Sequence, residues 1–136
     1  MIKSINHIGI AVADLDASIA VFKKILDFKD IHRETVLDRK VHVASFKVGD
    51  VLIELTAPTD DESPIAKHLE KNGEGIQHIA FETDDINAEL VRLKAEDIRL
   101  INETPVPGAH DMQIAFMHPK STNRVLMEVC QPNKNH

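Results

Sequence analysis

The sequence predicts an α+β protein built from two tandem β-α-β-β-β modules, spanning about residues 1–58 and 75–132. Three observations carry that expectation. Ile5-Asn6-His7-Ile8-Gly9-Ile10-Ala11-Val12 aligns with Ile76-Gln77-His78-Ile79-Ala80-Phe81-Glu82-Thr83 at a shift of 71, which also brings Asp14 onto Asp85 and Ala17 onto Ala88. Val51-Leu52-Ile53-Glu54-Leu55-Thr56-Ala57-Pro58 matches Val125-Leu126-Met127-Glu128-Val129-Cys130-Gln131-Pro132, with both glutamates and both prolines in register. In each half, strand-like alternation gives way to a helical period and then returns.

Residues 3–12 alternate as a strand, and Asp14-Leu15-Asp16 supplies N-cap chemistry for the helix that follows. Ile19, Phe22 and Leu26 stand at helical spacing, so about 15–27 is an amphipathic helix. Strands are expected near 28–36, 41–48 and 51–57, the last two joined by a hairpin turn at Gly49-Asp50. Ser63-Pro64 opens a short helix that ends near Asn72-Gly73, with Pro at its first position and Gly past its end. The second half repeats the order: a strand over 76–83, a helix over 85–96 capped by Asp84-Asp85, and strands near 98–103, 111–118 and 124–131. Pro105-Val106-Pro107-Gly108 reads as an irregular loop, and Pro132 to His136 as a disordered tail.

The 136 residues suit one domain with a core of its own. A formal charge of −6 argues against nucleic-acid partners and offers no cationic face to a membrane. No apolar run approaches the roughly 20 residues of a membrane span. Met1-Ile2-Lys3-Ser4 leads directly into a strand pattern without a secretory signal. The single cysteine, Cys130, cannot form an internal disulfide, so a reducing, cytoplasmic setting is expected. Without Trp or Tyr, recognition by stacked aromatics is not expected.

Strand alternation can be followed face by face. His7 shares a face with the very small Gly9 and Ala11, while Ile8, Ile10 and Val12 form the bulky face that a helix can cover. Glu54 points away from Val51, Ile53 and Leu55; His78 opposes Ile79 and Phe81; Glu128 opposes Val125, Met127 and Val129. Any one of these could be a polar residue on a solvated sheet face, or a histidine satisfied by a backbone carbonyl. Their duplication and small neighbours favour one divalent metal ion held between the halves. Two imidazoles and two carboxylates suit Co, Ni, Mn, Fe or Zn.

These segments resemble the vicinal oxygen chelate superfamily, which includes glyoxalase I, extradiol dioxygenases and methylmalonyl-CoA epimerases. Within it the chain is most similar to the epimerases. The resemblance spans nearly the whole chain as a single domain, 1–136. Its more specific segments are Ser63-Pro64-Ile65-Ala66-Lys67, Asn72-Gly73-Glu74-Gly75-Ile76-Gln77-His78, Ile98-Arg99-Leu100-Ile101 and His118-Pro119-Lys120-Ser121-Thr122. The resemblance implies a glyoxalase-like fold, curled mixed sheets around one metal held by His7, Glu54, His78 and Glu128. Many epimerases carry Gln at the position of Glu54, and bacterial glyoxalase I carries Glu, so the ligand set does not separate the two.

The implied reaction inverts C2 of methylmalonyl-CoA, an acyl-CoA substrate, by proton abstraction through a metal-stabilised enolate. Glu128 would be both ligand and acid/base, with Lys120 or Ser121 holding the substrate carboxylate on a loop with His118. The superfamily usually forms homodimers. Glyoxalase I is a second reading, and a non-catalytic drug-binding module without metal is a third. The chain departs from the pattern at Val43, where some epimerases place a second glutamate. Glu34, His42 and His110 are nearby substitutes, although Glu34 and His42 read first as solvated strand residues. Asp27 replaces a usual Gly after the helix, which suggests a different turn. Asn123-Arg124 occupies a turn where Gly is common at the second position, and Arg124, Lys67 and His68 are expected at the surface.

Overall fold

The computed structural model describes residues 1–133, so the expectation of disorder at Lys134 to His136 lies outside the described residues. Two compact units divide the chain: His7–Gln77, and Met1–Asn6 together with His78 onward. The first strand, β1 (Ile2–Ala11), contributes to both.

In the unit of residues 7–77, β1 leads into α1 (Leu15–Leu26), then β2 (His32–Val36), β3 (Val41–Val48), β4 (Val51–Pro58) and α2 (Pro64–Asn72). The strands lie in the order β2-β3-β4-β1. Asp14 caps α1 by accepting from the Ala17 amide at 3.1 Å, and Ser63 caps α2 through the Ile65 amide at 3.1 Å. Helix α1 closes with Asp27 in the left-handed region, φ 49°, its N–H donating to the Lys23 carbonyl. The turn expected to differ for want of a glycine is thus an ordinary left-handed cap, a conformation that Asp adopts more readily than most residues. The expected strand at 28–36 begins only at His32. Residues before it are anchored by Phe28, which stacks on Phe46 with ring centroids 3.9 Å apart. Phe46, Leu55, Ala44, Ala57 and Val12 form the core beneath Leu15, Ile19 and Phe22 of α1.

The other unit holds β5 (Gly75–Thr83) from His78 onward, α3 (Ile86–Ala95), β6 (Val106–Gly108), β7 (Met112–Phe116) and β8 (Met127–Pro132). Its order is β5-β8-β7-β6. The opening residues of β1 join this unit: Asn6 donates to Glu82 at 2.9 Å, and Thr83 donates to the Met1 carbonyl at 3.0 Å. Asp85 caps α3 through the Ala88 amide at 3.1 Å, repeating the Asp14 and Ala17 cap. Ile86, Leu90 and Leu93 of α3 pack on Ala115, Met117 and Val129.

Two expectations fail here. The segment near 98–103 makes only one bridge, Leu100 to Met117, and no strand. Residues Val106–Gly108, expected to be loop, form β6 instead and pair with β7. Pro107 is tolerated because β6 lies at the end of the strand order, where a missing N–H faces no partner. Gly108 allows the close approach: a Cβ there would stand 2.7 Å from Ile114 Cγ2. The expected disordered tail is also corrected at its first two residues: Pro132 lies in β8, and Asn133 is tied to Asp111 by bonds of 3.0 Å through both its backbone N–H and its side-chain amide.

Candidate functional site

His7 lies midway along β1, which runs parallel beside β4 so that Gly9 faces Glu54. His78 occupies the same place in β5, where Ala80 faces Glu128 of β8. Each unit therefore places its histidine two residues before the small residue that pairs with its glutamate. All four side chains are buried, with 3 to 5% of each residue exposed. His7 Nε2 is 3.6 Å from Glu54 Oε2, and His78 Nε2 is 3.5 Å from Glu128 Oε1. Those distances exceed a good hydrogen bond. They are close to the roughly 3.0–3.5 Å that separates two neighbouring donors each bound about 2.1 Å from one cation.

The surroundings explain why these side chains face as they do. Core side chains of Ile10, Ile53 and Leu55 pack towards α1, so alternation turns His7 and Glu54 to the other face. Ser45 lies opposite Glu54, and Val43 opposite Thr56, which brings both onto the face of Glu54. In the other unit Phe116 lies opposite Glu128 and sets its ring edge-on to His78, centroids 5.7 Å apart. Ser45 and Phe116 are site neighbours that sequence reasoning missed; period-two alternation in their strands was the available signal.

Burial pushes the Glu54 carboxyl up to about 7, helped by the negative charge of Glu34 and opposed by Arg39. A carboxylate removed from water in this way needs a compensating positive charge. A divalent cation beside His7 Nε2 and Glu54 would supply it, so the donors of each pair fit a metal in type, spacing and burial.

Lys120 and Ser121 lie in a single 3-10 turn, Pro119–Ser121. His118 Nδ1 accepts from the Lys120 amide at 3.0 Å, and Ser121 Oγ accepts from the Arg99 amide at 2.9 Å. Ser121 therefore fastens its turn to the segment after α3, while Lys120 is exposed. Asn123 and Arg124 both adopt positive φ, 55° and 68°, and Arg124 is exposed as expected. Lys67 is exposed and His68 half-buried. His42 is exposed and engages Thr35 at 2.8 Å. His110 sits in the other unit, half-buried, with φ 60°.

The family model described as the Glyoxalase/Bleomycin resistance protein/Dioxygenase superfamily matches residues 6–116. The chain belongs to that superfamily. Within it, the chain is similar over almost its whole length to epimerases, which are isomerases. The ethylmalonyl-CoA/methylmalonyl-CoA epimerase of Cereibacter sphaeroides is 38% identical over 133 residues, covering 96% of this chain and 99% of that protein. The crystal structure of methylmalonyl-CoA epimerase from Mycobacterium tuberculosis superposes with a TM-score of 0.93 at 37% identity, covering 98% of this chain and 90% of that one. A methylmalonyl-CoA epimerase in complex with methylmalonyl-CoA and NH4+ superposes with a TM-score of 0.93 at 33% identity, covering 97% and 96%. The expected glyoxalase-like α+β fold is the fold found.

Proposed function

We propose that this protein is a metal-dependent methylmalonyl-CoA epimerase. The observation that carries the reading is the pair of buried His and Glu residues repeated at equivalent strand positions in a chain similar throughout to epimerases. His7, Glu54, His78 and Glu128 would hold one divalent ion, with residues 1–136 acting as one catalytic domain. Held there, such an ion would supply positive charge to offset the charge developing on the thioester oxygen as the C2 proton leaves.

The chain's own groups do the rest. The histidines serve as neutral imidazoles through Nε2, the nitrogen that faces the carboxylate in each pair. Phe116 holds the His78 ring edge-on, limiting its rotation. Glu128 exchanges a proton with C2 on one face only, removing it from one epimer and delivering it when the other epimer reacts, its carboxylate kept from bulk water by burial. Lys120 pairs with the free carboxylate of the substrate, as an exposed ammonium in the middle of a short turn capped by His118 can.

The acyl-CoA substrate class is supported by the relative solved with methylmalonyl-CoA. A reducing, cytoplasmic setting is supported by the single, buried, free cysteine, Cys130; among the described residues no helix is long and apolar enough to cross a membrane. Assembly as a homodimer is supported by apolar side chains left exposed on α1, Val21 and Ile25. The direct test follows deuterium from solvent into C2 of methylmalonyl-CoA, with and without chelator.

A further inference from the structure

Inverting a carbon centre through a planar enolate needs a proton to leave one face and another to arrive on the opposite face, so two acid/base groups are expected, one on each side. Glu128 accounts for one. Val43 supplies none: it is an aliphatic residue, 2% exposed, on the face that carries Glu54.

The strand register shows a carboxylate directly beside it. Glu34 of β2 pairs with Val43, Val43 with Thr56, and in the adjacent row His32 pairs with Ser45 and Ser45 with Glu54. Directly opposed residues of antiparallel strands project to the same side, about 4.5–5.5 Å apart at Cβ. Glu34 therefore projects to the same face as Glu54, one strand beyond Val43. A glutamate side chain spans roughly the 4.8 Å between adjacent strands, so it can reach over the valine.

Two further observations bear on Glu34. Its Oε1 is 2.8 Å from His32 Nε2, which fixes the carboxylate's direction. At 28% side-chain exposure it is open to a ligand, unlike the buried Val43.

We propose that Glu34 is the second acid/base, acting from β2 where Val43 cannot act from β3; this rests on the epimerase reading above. In one direction the Glu34 carboxylate takes the C2 proton, the C–H electron pair becomes the C1–C2 π bond, and the carbonyl π pair moves to the thioester oxygen. The oxygen pair then re-forms the carbonyl and the C1–C2 π pair takes a proton that Glu128 delivers to the other face of C2. The reverse direction exchanges the two roles, and no other reactant is consumed.

The test is Glu34→Gln in the metal-loaded enzyme, with each C2 epimer of methylmalonyl-CoA supplied separately in deuterium oxide. Epimerisation is expected to fall at least 100-fold. Metal content by elemental analysis is expected to stay unchanged. Deuterium should still enter C2 of one epimer with retention of configuration, because the group serving that face remains. A smaller loss of epimerisation overturns the proposal. So does an equal loss of exchange from both epimers, with or without loss of metal, since Glu34 would then be a structural residue. Failure of the epimerase reading shows separately, as absence of exchange in the unsubstituted enzyme.

Discussion

At the scale of single residues, His7, Glu54, His78 and Glu128 differ in what each contributes. The histidines offer the neutral nitrogen donors of the proposed centre, and no conservative replacement keeps both charge and donor geometry. Glu54 is different, because its position accepts an amide oxygen in many proteins that this sequence resembles. His78→Ala is expected to lower metal affinity at least tenfold, whereas Glu54→Gln should retain bound metal and activity within tenfold. Elemental analysis after dialysis against a weak chelator checks both. All four residues were legible in the sequence because strand alternation and the internal repeat agree at each of them. Glu34 was one of three substitutes the sequence offered near Val43, but nothing there separated it from His42 and His110, since its place directly beside Val43 depends on cross-strand register, which no single strand's pattern contains.

At the scale of elements, α3 and β6 show where local chemistry overrides pattern. Burial pushes the Glu89 carboxyl up, but the Arg92 guanidinium and the Met1 ammonium, 3.0 Å away, together hold it below the usual carboxylate range. A depressed folded-state value stabilises the fold at pH above the unfolded value near 4.5, and that stability is lost as pH falls through the folded value. Glu89→Gln is therefore expected to cost about 1–3 kcal/mol at pH 7. The difference should close as the pH falls below about 4.5; denaturant melts at several pH values measure it. In β6, a methyl group at Gly108 would crowd the buried Ile114, so Gly108→Ala should cost about 1–3 kcal/mol in the same melts. The helices and the β3–β4 hairpin were legible from caps, spacing and Gly49-Asp50. Strand β6 was hidden because its Val-Pro-Gly composition is that of a turn, and it is a strand only because β7 lies beside it.

At the scale of the whole chain, the repeat first seen in the sequence recurs as structure. Caps at Asp14 and Asp85, parallel pairs Gly9–Glu54 and Ala80–Glu128, and a histidine two residues earlier all coincide. Duplication made the fold class legible, but it is indifferent to the reaction, since the superfamily shares it. Similarity to epimerases over nearly the whole chain and the chemistry of the four buried donors support the proposed reaction. The most direct measurement is the rate of solvent deuterium entry at C2 of methylmalonyl-CoA, before and after a chelator removes metal. The metal-loaded protein is expected to exchange, to lose exchange on chelation, and to regain it when a divalent ion is restored. No exchange by protein shown to carry metal would contradict that expectation, and so would exchange that chelation leaves unchanged.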